Sequence, residues 1–340
     1  MPRGLIGLSA LLAAALLWAY LLTHPIAGGP SETSVQVWST DPRDVSRLVY
    51  KQGRNEVVFE PQWESGRGNP RVWVHTSRPK PRSGKVQRSK SSMPQPVKPE
   101  LVRAVFKGNA AAENLLKRFF VLSAKRSIGK LENLAKHEFG LPAANHTLRL
   151  ELRGERQPLQ LEIGGATYGD LMRYVLEPAS GSVFLFRHNP FRQLGRANSA
   201  LFDRSLFPLT PKAVERIRVS GAGASKELWK LQGSLQGQWG YEPQDDQGRQ
   251  EAARFVDTLS KLKVVIYLLE DIQQGEGAAP AMEIELFGGR GNEGKTWLRL
   301  FPRDGGETLA RSSYTGRMVR VSNLLASRVL NVGSKLLKQP

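Results

Sequence analysis

The motif with the most specific chemistry in this chain is GRGNEGKT, Gly289 to Thr296, which satisfies the phosphate-loop spacing G-x-x-x-x-G-K-[ST] at every position. Such a loop holds phosphate because a strand feeds a turn of backbone amides, and a helix starts at the Lys-Thr end with its positive dipole toward the anion. Here MEIELF enters the loop, but TWLRLFP leaves it as an alternating run stopped by Pro302. That pattern predicts a hairpin turn, and no nucleotide. The histidines are His24, His75, His137, His146 and His188. His137-Glu138 and His146 miss the one-turn spacing of H-E-x-x-H, and Pro142 stands between them, so they read as capping or surface side chains. Ser180, Ser182, Ser199 and Ser205 lie in no G-x-S-x-G elbow. Asp245 and Asp246 suit the acidic start of a helix, and Gly164-Gly165 beside Tyr168 suits a tight turn. The chain has no cysteine, which excludes disulfides, thiolate metal sites and thiol nucleophiles. No catalytic, cofactor-binding or metal-ligating residue emerges, and no cofactor is expected.

One segment carries charge without a fold signal. Arg78 to Pro99 holds seven Lys/Arg, five Pro and four Ser in 22 residues, with no acid and no apolar period. It cannot bury enough surface to offset its ordering entropy and reads as an extended basic loop. Its cations, Arg78, Lys80, Arg82, Lys85, Arg88, Lys90 and Lys98, are the candidate anion-binding residues. Anionic lipid headgroups or a phosphate-bearing envelope polymer would bind such a segment with steep salt dependence. A solvated linker is the alternative. Nucleic acid is disfavoured because the segment has no aromatic side chain on which a base could stack.

The elements that must position these residues follow from length and pattern. With 340 residues, 40% hydrophobic and 24% charged, the chain is long enough for two compact units. Its net charge of +18 favours anionic partners. Leu5 to Leu22 is uncharged, spans about 27 Å as a helix, and is preceded by Arg3. It reads as a transmembrane anchor within residues 1–27, with Trp18 and Tyr20 at the far interface and the bulk of the chain outside the cytoplasm. A signal peptide cleaved near Ala27 is the alternative.

Beyond a Gly/Pro/Ser link, VQVWST, VSRLVY, EVVFEPQ and RVWVHTS alternate as strands. Ala111 to His137 has helical spacing; LRLEL, LQLEIG, YVLE and SVFLF follow as strands, and Pro190 to Phe207 as helix. The second half repeats the order. DVSRLVYKQG at Asp44 matches AVERIRVSG at Ala213, LLKRFFVLSAKR matches AARFVDTLSKLK, and the hairpin LRLELRGERQPLQLEIG matches MEIELFGGRGNEGKTWLRLFP. VVIYLLED, Val264 to Asp271, falls inside the helix expected over 249–270, and the closing helix is expected over Arg320 to Lys338, docked on the second sheet or serving as a partner helix. The expected fold is therefore α+β: an N-terminal transmembrane helix, then tandem repeats over 35–207 and 210–337, each of antiparallel strands with packed helices.

The run HEFGLPAANHTLRLELRGERQPLQLEIGGATYGDLMRYVLEPASGSVFLF orders three features: a Phe139-Gly140-Leu141-Pro142 corner, a strand pair ending at Ile163-Gly164, and a strand carrying Tyr174 before Val183-Phe184. With LFDRSLFPL and AVERIRV after it, this resembles the domain-of-unknown-function 4340 family over most of residues 35–337. The resemblance implies a bacterial, membrane-anchored accessory of the cell envelope, in some cases linked to gliding-motility-type ABC transporters. No catalytic residue comes with it. The long basic segment departs from the family pattern.

These readings converge on a non-enzymatic, single-pass, inner-membrane protein with its bulk in the periplasm, acting as accessory or scaffold to envelope or transporter proteins. Two alternatives stay open: a polyanion or anionic-lipid binding module using the basic loop, and an envelope hydrolase with a site between the repeats.

Overall fold

The computed structural model describes residues 34–64, 69–80, 100–133, 136–141, 145–154, 157–208, 211, 214–230, 239–240, 246–269, 279–288 and 295–338. Strand β1 (Val35–Ser39) is followed by β2 (Val45–Gln52), β3 (Asn55–Gln62), β4 (Arg71–Pro79) and β5 (Leu101–Lys107). In β2 the inward side chains are Val45, Leu48 and Tyr50, and their irregular spacing reflects a bulge between Val45 and Arg47. In β4, Val72, Val74 and Thr76 alternate inward with outward Trp73, His75 and Ser77.

Helix α1 (Ala110–Phe120) buries Ala112, Leu115, Leu116, Phe119 and Phe120, one apolar stripe at three-and-four spacing. The Asn109 Oδ1 accepts from the amides of Ala111 and Ala112 at 3.0 and 3.1 Å and starts it. The chain then returns to strand: β6 (Val121–Ala124), β7 (Arg126–Lys130), the single-turn α2 (Lys136–Phe139), β8 (His146–Leu152), β9 (Leu159–Ala166), β10 (Met172–Glu177) and β11 (Ser182–Arg187). Short helices α3 (Asn189–Gly195) and α4 (Ala197–Ala200) lead on. Next come β12 (Arg216–Gly221), β13 (Ala224–Lys230), β14 (Trp239–Gly240), α5 (Asp246–Lys261), β15 (Val264–Tyr267), β16 (Met282–Phe287), β17 (Thr296–Pro302), β18 (Thr308–Ser312), β19 (Val319–Val321) and α6 (Asn323–Lys338).

Beside a two-stranded β1-β6 pair, the strands form two large sheets, all antiparallel. One runs β5-β4-β3-β2-β8-β9-β10-β11-β7, the other β14-β13-β12-β16-β17-β18-β19-β15. Apart from β5, the orders correspond: β2 to β12, β8 to β16, β11 to β19, with β7 or β15 at the last edge. A single hydrophobic core runs through both sheets, from Leu48 and Phe59 to Leu298 and Val329. It passes through an aromatic junction in which Phe106 lies 5.0 Å from Phe202, Phe202 5.7 Å from Tyr267, and Tyr267 5.8 Å from Trp73, ring centre to ring centre.

This corrects the α+β expectation. Among the described residues strand accounts for 48%, in three antiparallel sheets, beside six helices. The helices expected over 111–137 and 249–270 stop at Phe120 and Lys261, where the β-branched Val121, Val264 and Ile266 take ladder positions instead. VVIY is thus strand β15. The closing helix starts at Asn323, since Val319 to Val321 pair as β19; it buries Ala326, Val329, Gly333 and Leu336. No described helix is long and apolar enough to cross a membrane. The transmembrane helix expected at Leu5 to Leu22 lies outside the described residues.

Candidate functional site

A partly buried cluster of reactive side chains lies where β2, β8, β10 and the end of β11 meet. Tyr50 points inward from β2, and across the ladder His146 stands opposite Gln52. The Tyr50 hydroxyl is 2.9 Å from His146 Nε2 and the rings meet edge to face at 5.5 Å. Burial first, then the charge of Arg173 and of His188, holds the His146 imidazole down to about 4. The ring is therefore neutral at pH 7, and its Nε2 shares a hydrogen bond with the hydroxyl whose direction follows the tautomer. Burial pushes Tyr50 up to about 12, against the opposing pull of Arg173.

Beside this pair, the guanidinium of Arg173 donates to the Gly164 carbonyl at 3.2 Å and sits 3.5 Å from Asp170 Oδ1. His188 Nδ1 lies 3.1 Å from both the carbonyl and the Oδ1 of Asp170. These contacts clamp the turn between β9 and β10, where Gly169 and Asp170 have φ of 80° and 53°. A non-glycine residue in that region is held against its preference, and Asp is among the few that tolerate it. The arrangement can orient a turn. The Tyr50–His146 pair is poorly tuned for proton transfer, because a general base or acid works best with a pKa near the working pH, and both of these groups are moved away from it.

A groove of about 620 Å³ lies on the outward face of β2, β3, β4 and β8. It is a lattice of ion pairs. Glu60 holds Arg47 at 2.6 Å with one oxygen and His75 Nε2 at 3.2 Å with the other, and Lys51 meets Glu56 at 3.0 Å. The second sheet repeats the device: Arg218 to Glu227 at 2.5 Å, Lys295 to Glu285 at 2.5 Å, Arg299 to Glu283 at 3.1 Å. Among the described residues no cluster of His, Asp and Glu is arranged to hold a metal.

Of the anion-binding candidates, Arg78 and Lys80 belong to the β4–β5 hairpin, not to a loop. Arg78 pairs with Val102 across the ladder, and the Lys80 amide and ammonium reach the Glu100 carbonyl and carboxylate at 2.8 Å each. Arg82, Lys85, Arg88, Lys90 and Lys98 lie outside the described residues. Arg78 also lines a groove of about 530 Å³ with Arg196, Arg204, Asn198 and Ser199. The GRGNEGKT stretch joins two antiparallel strands, β16 and β17, and its Lys295 is the partner of Glu285. His146 and His188 come together; His137 lies exposed on α2. Sequence reasoning missed Tyr50, Arg173 and Asp170. Tyr50 and His146 are 96 positions apart and read as ordinary strand residues. Gly169-Asp170, a turn signal followed by a charged strand start, is the local cue that could have found the clamp.

The residues that carried the family resemblance form a packing corner. The Gly140 φ is +62°, and Phe139 meets Tyr174 edge to face at 4.7 Å. A Cβ at position 164 would fall 2.4 Å from the Phe139 carbonyl oxygen, so the Ile163-Gly164 step requires glycine. A family profile described as Domain of unknown function (DUF4340) matches residues 109–281, just over half of the chain. No curated protein and no solved structure matches.

Proposed function

The chain belongs to the family described as Domain of unknown function (DUF4340), and from that premise we propose that it is a non-enzymatic accessory or scaffold protein. In this reading Leu5 to Leu22 anchors it in the bacterial inner membrane, its sheets stand in the periplasm, and its partners are envelope proteins, an ABC-type transporter among them. The observation that carries the reading is the state of the best-assembled polar cluster. Its imidazole is held at about 4 and its phenol at about 12, so near neutrality it contributes hydrogen bonds and turn geometry rather than proton transfer. The outward faces of both sheets carry paired charges on neighbouring strands, which suits a body that presents surface rather than one that binds a small substrate. Purification of the full chain from native membranes tests this: transporter subunits should copurify in fixed ratio. A hydrolytic activity that survives purification and disappears in His146→Gln would overturn it.

The gathering of Arg78, Arg196 and Arg204 around one groove favours a second reading, a polyanion binder that extends from the basic segment. Replacing residues 81–99 with a Gly/Ser linker keeps the β4–β5 hairpin intact. Loss of salt-sensitive polyphosphate binding in that variant would support this reading, and unchanged binding would refute it.

A further inference from the structure

At one end of the first sheet three features lie side by side. The described chain begins there: Ser34 precedes β1, whose Val35 pairs with Ala124 of β6. The next residue, Lys125, donates its amide to the Leu185 carbonyl of β11 at 2.8 Å. Two residues on, Arg187 pairs with Met172, and the His188 amide donates to the Leu171 carbonyl at 2.9 Å. This short path links the chain start to the clamped β9–β10 turn. On that turn Tyr168 is 105% exposed and Leu171 74% exposed. Between the two lies a groove of about 410 Å³ lined by Ser34, Arg118, Val121, Lys125, Arg187 and Pro190 among others, and among the described residues no carboxylate lines it. Val121 adds an apolar surface that is 53% exposed.

We propose that this end of the molecule docks on an anionic lipid surface, with Tyr168 and Leu171 entering the headgroup layer and Arg118 and Arg187 facing lipid phosphates. The proposal rests on the membrane-anchor reading. Residues 23–33, between the apolar segment and Ser34, can span at most about 40 Å when fully extended, which keeps the Ser34 end within that distance of the apolar segment. An amphipathic aromatic ring beside an aliphatic side chain is the pair favoured at that depth. The turn needs no ordering on contact, because Asp170 is already fixed by His188 and Arg173, which lowers the cost of binding. Each cation near an anionic surface strengthens association about fivefold.

The chain has no native cysteine, so single cysteines at Tyr168→Cys, Leu171→Cys and, as reference near the start of β13 in the other sheet, Ser225→Cys can carry an environment-sensitive fluorophore. Full-length protein is reconstituted in vesicles of phosphatidylcholine with about one-third phosphatidylglycerol, chosen because cations near the surface respond to anionic lipid, and in vesicles of phosphatidylcholine alone. Labels at 168 and 171 should be quenched by lipid-borne nitroxides in the anionic vesicles, with the label at 225 unquenched. The Arg118→Glu/Arg187→Glu double variant should reduce the quenching at least fivefold. Unquenched labels on a chain that resists alkaline extraction would refute the docking while leaving the anchor in place. Release of the chain by alkali would overturn the anchor and the docking with it.

Discussion

Two tyrosines at the junction of the sheets undergo the same chemical change with opposite expected results. Asp203 is only 8% exposed; its Oδ2 accepts from the Tyr314 hydroxyl at 2.6 Å and its Oδ1 from the Ser205 amide at 2.9 Å. Lys107, 4% exposed, donates to the Tyr314 carbonyl at 3.1 Å and sits 3.1 Å over the Tyr314 ring. Tyr314→Phe keeps the ring under the ammonium and removes one donor from a buried carboxylate. A hydrogen bond to a charged group contributes about 1.5–3 kcal/mol, and the deserted acceptor keeps its desolvation penalty. The expected loss is about 2 kcal/mol. Tyr267, 2% exposed, has a hydroxyl with no hydrogen-bond partner among the described residues. Burial, then the neighbouring Asp203 and Tyr314, raise its pKa, so it stays a neutral, unsatisfied phenol. Tyr267→Phe removes that burden and should leave stability unchanged or increase it by up to about 1 kcal/mol. Urea unfolding followed by tryptophan fluorescence, with Trp73 packed against Tyr267 as reporter, measures both. Equal losses in the two variants, or a Tyr314→Phe loss below about 0.5 kcal/mol, would refute the account of the junction.

Stability should fall as pH drops from about 6.5 to about 4. Over that window the unfolded chain protonates position 146 while the folded imidazole, held at about 4, does not. The drop from this residue is about 1–2 kcal/mol once its partial exposure is allowed for, and it should vanish in His146→Gln; an unchanged slope in that variant would contradict the assignment. Gly164→Ala forces a Cβ to 2.4 Å from the Phe139 carbonyl and 2.9 Å from Leu141 Cγ, and should cost about 1–3 kcal/mol as read by thermal unfolding, with an unshifted midpoint counting against the close approach. Glu60→Gln loosens both Arg47 and His75 on an open face and should change stability by less than about 1 kcal/mol. A larger effect that persists in high salt would show that the outer lattice is structural.

Local pattern was enough for the strands with one wet face. VSRLVY, EVVFEPQ and RVWVHTS appear as β2, β3 and β4 because alternation at period two is a property of neighbours in sequence. The same holds for the capped, striped helix α1. Segments whose apolar residues suit either period were misread. Val264 to Tyr267 and Val121 to Ala124 continue a helical spacing on paper, and they become strands because the last edge of a sheet and the β1 partner are there to pair with them. The segment pairs DVSRLVYKQG with AVERIRVSG, and LRLEL with MEIEL, were visible as similar strings, and they fill the same slots in the two sheets.

By itself, then, the sequence determined composition, charge, the apolar segment at Leu5 to Leu22, the basic stretch and most strand positions, all of which depend on residue type and short spacing. Tertiary structure alone decided the placement of Tyr50 against His146, of Asp170 between His188 and Arg173, and of Lys107 over Tyr314. Those partners are separated by 96, 18 and 207 positions at their widest. Contact at such distances comes from which strands pair and how two sheets share one core, and no residue's neighbours in the chain encode it.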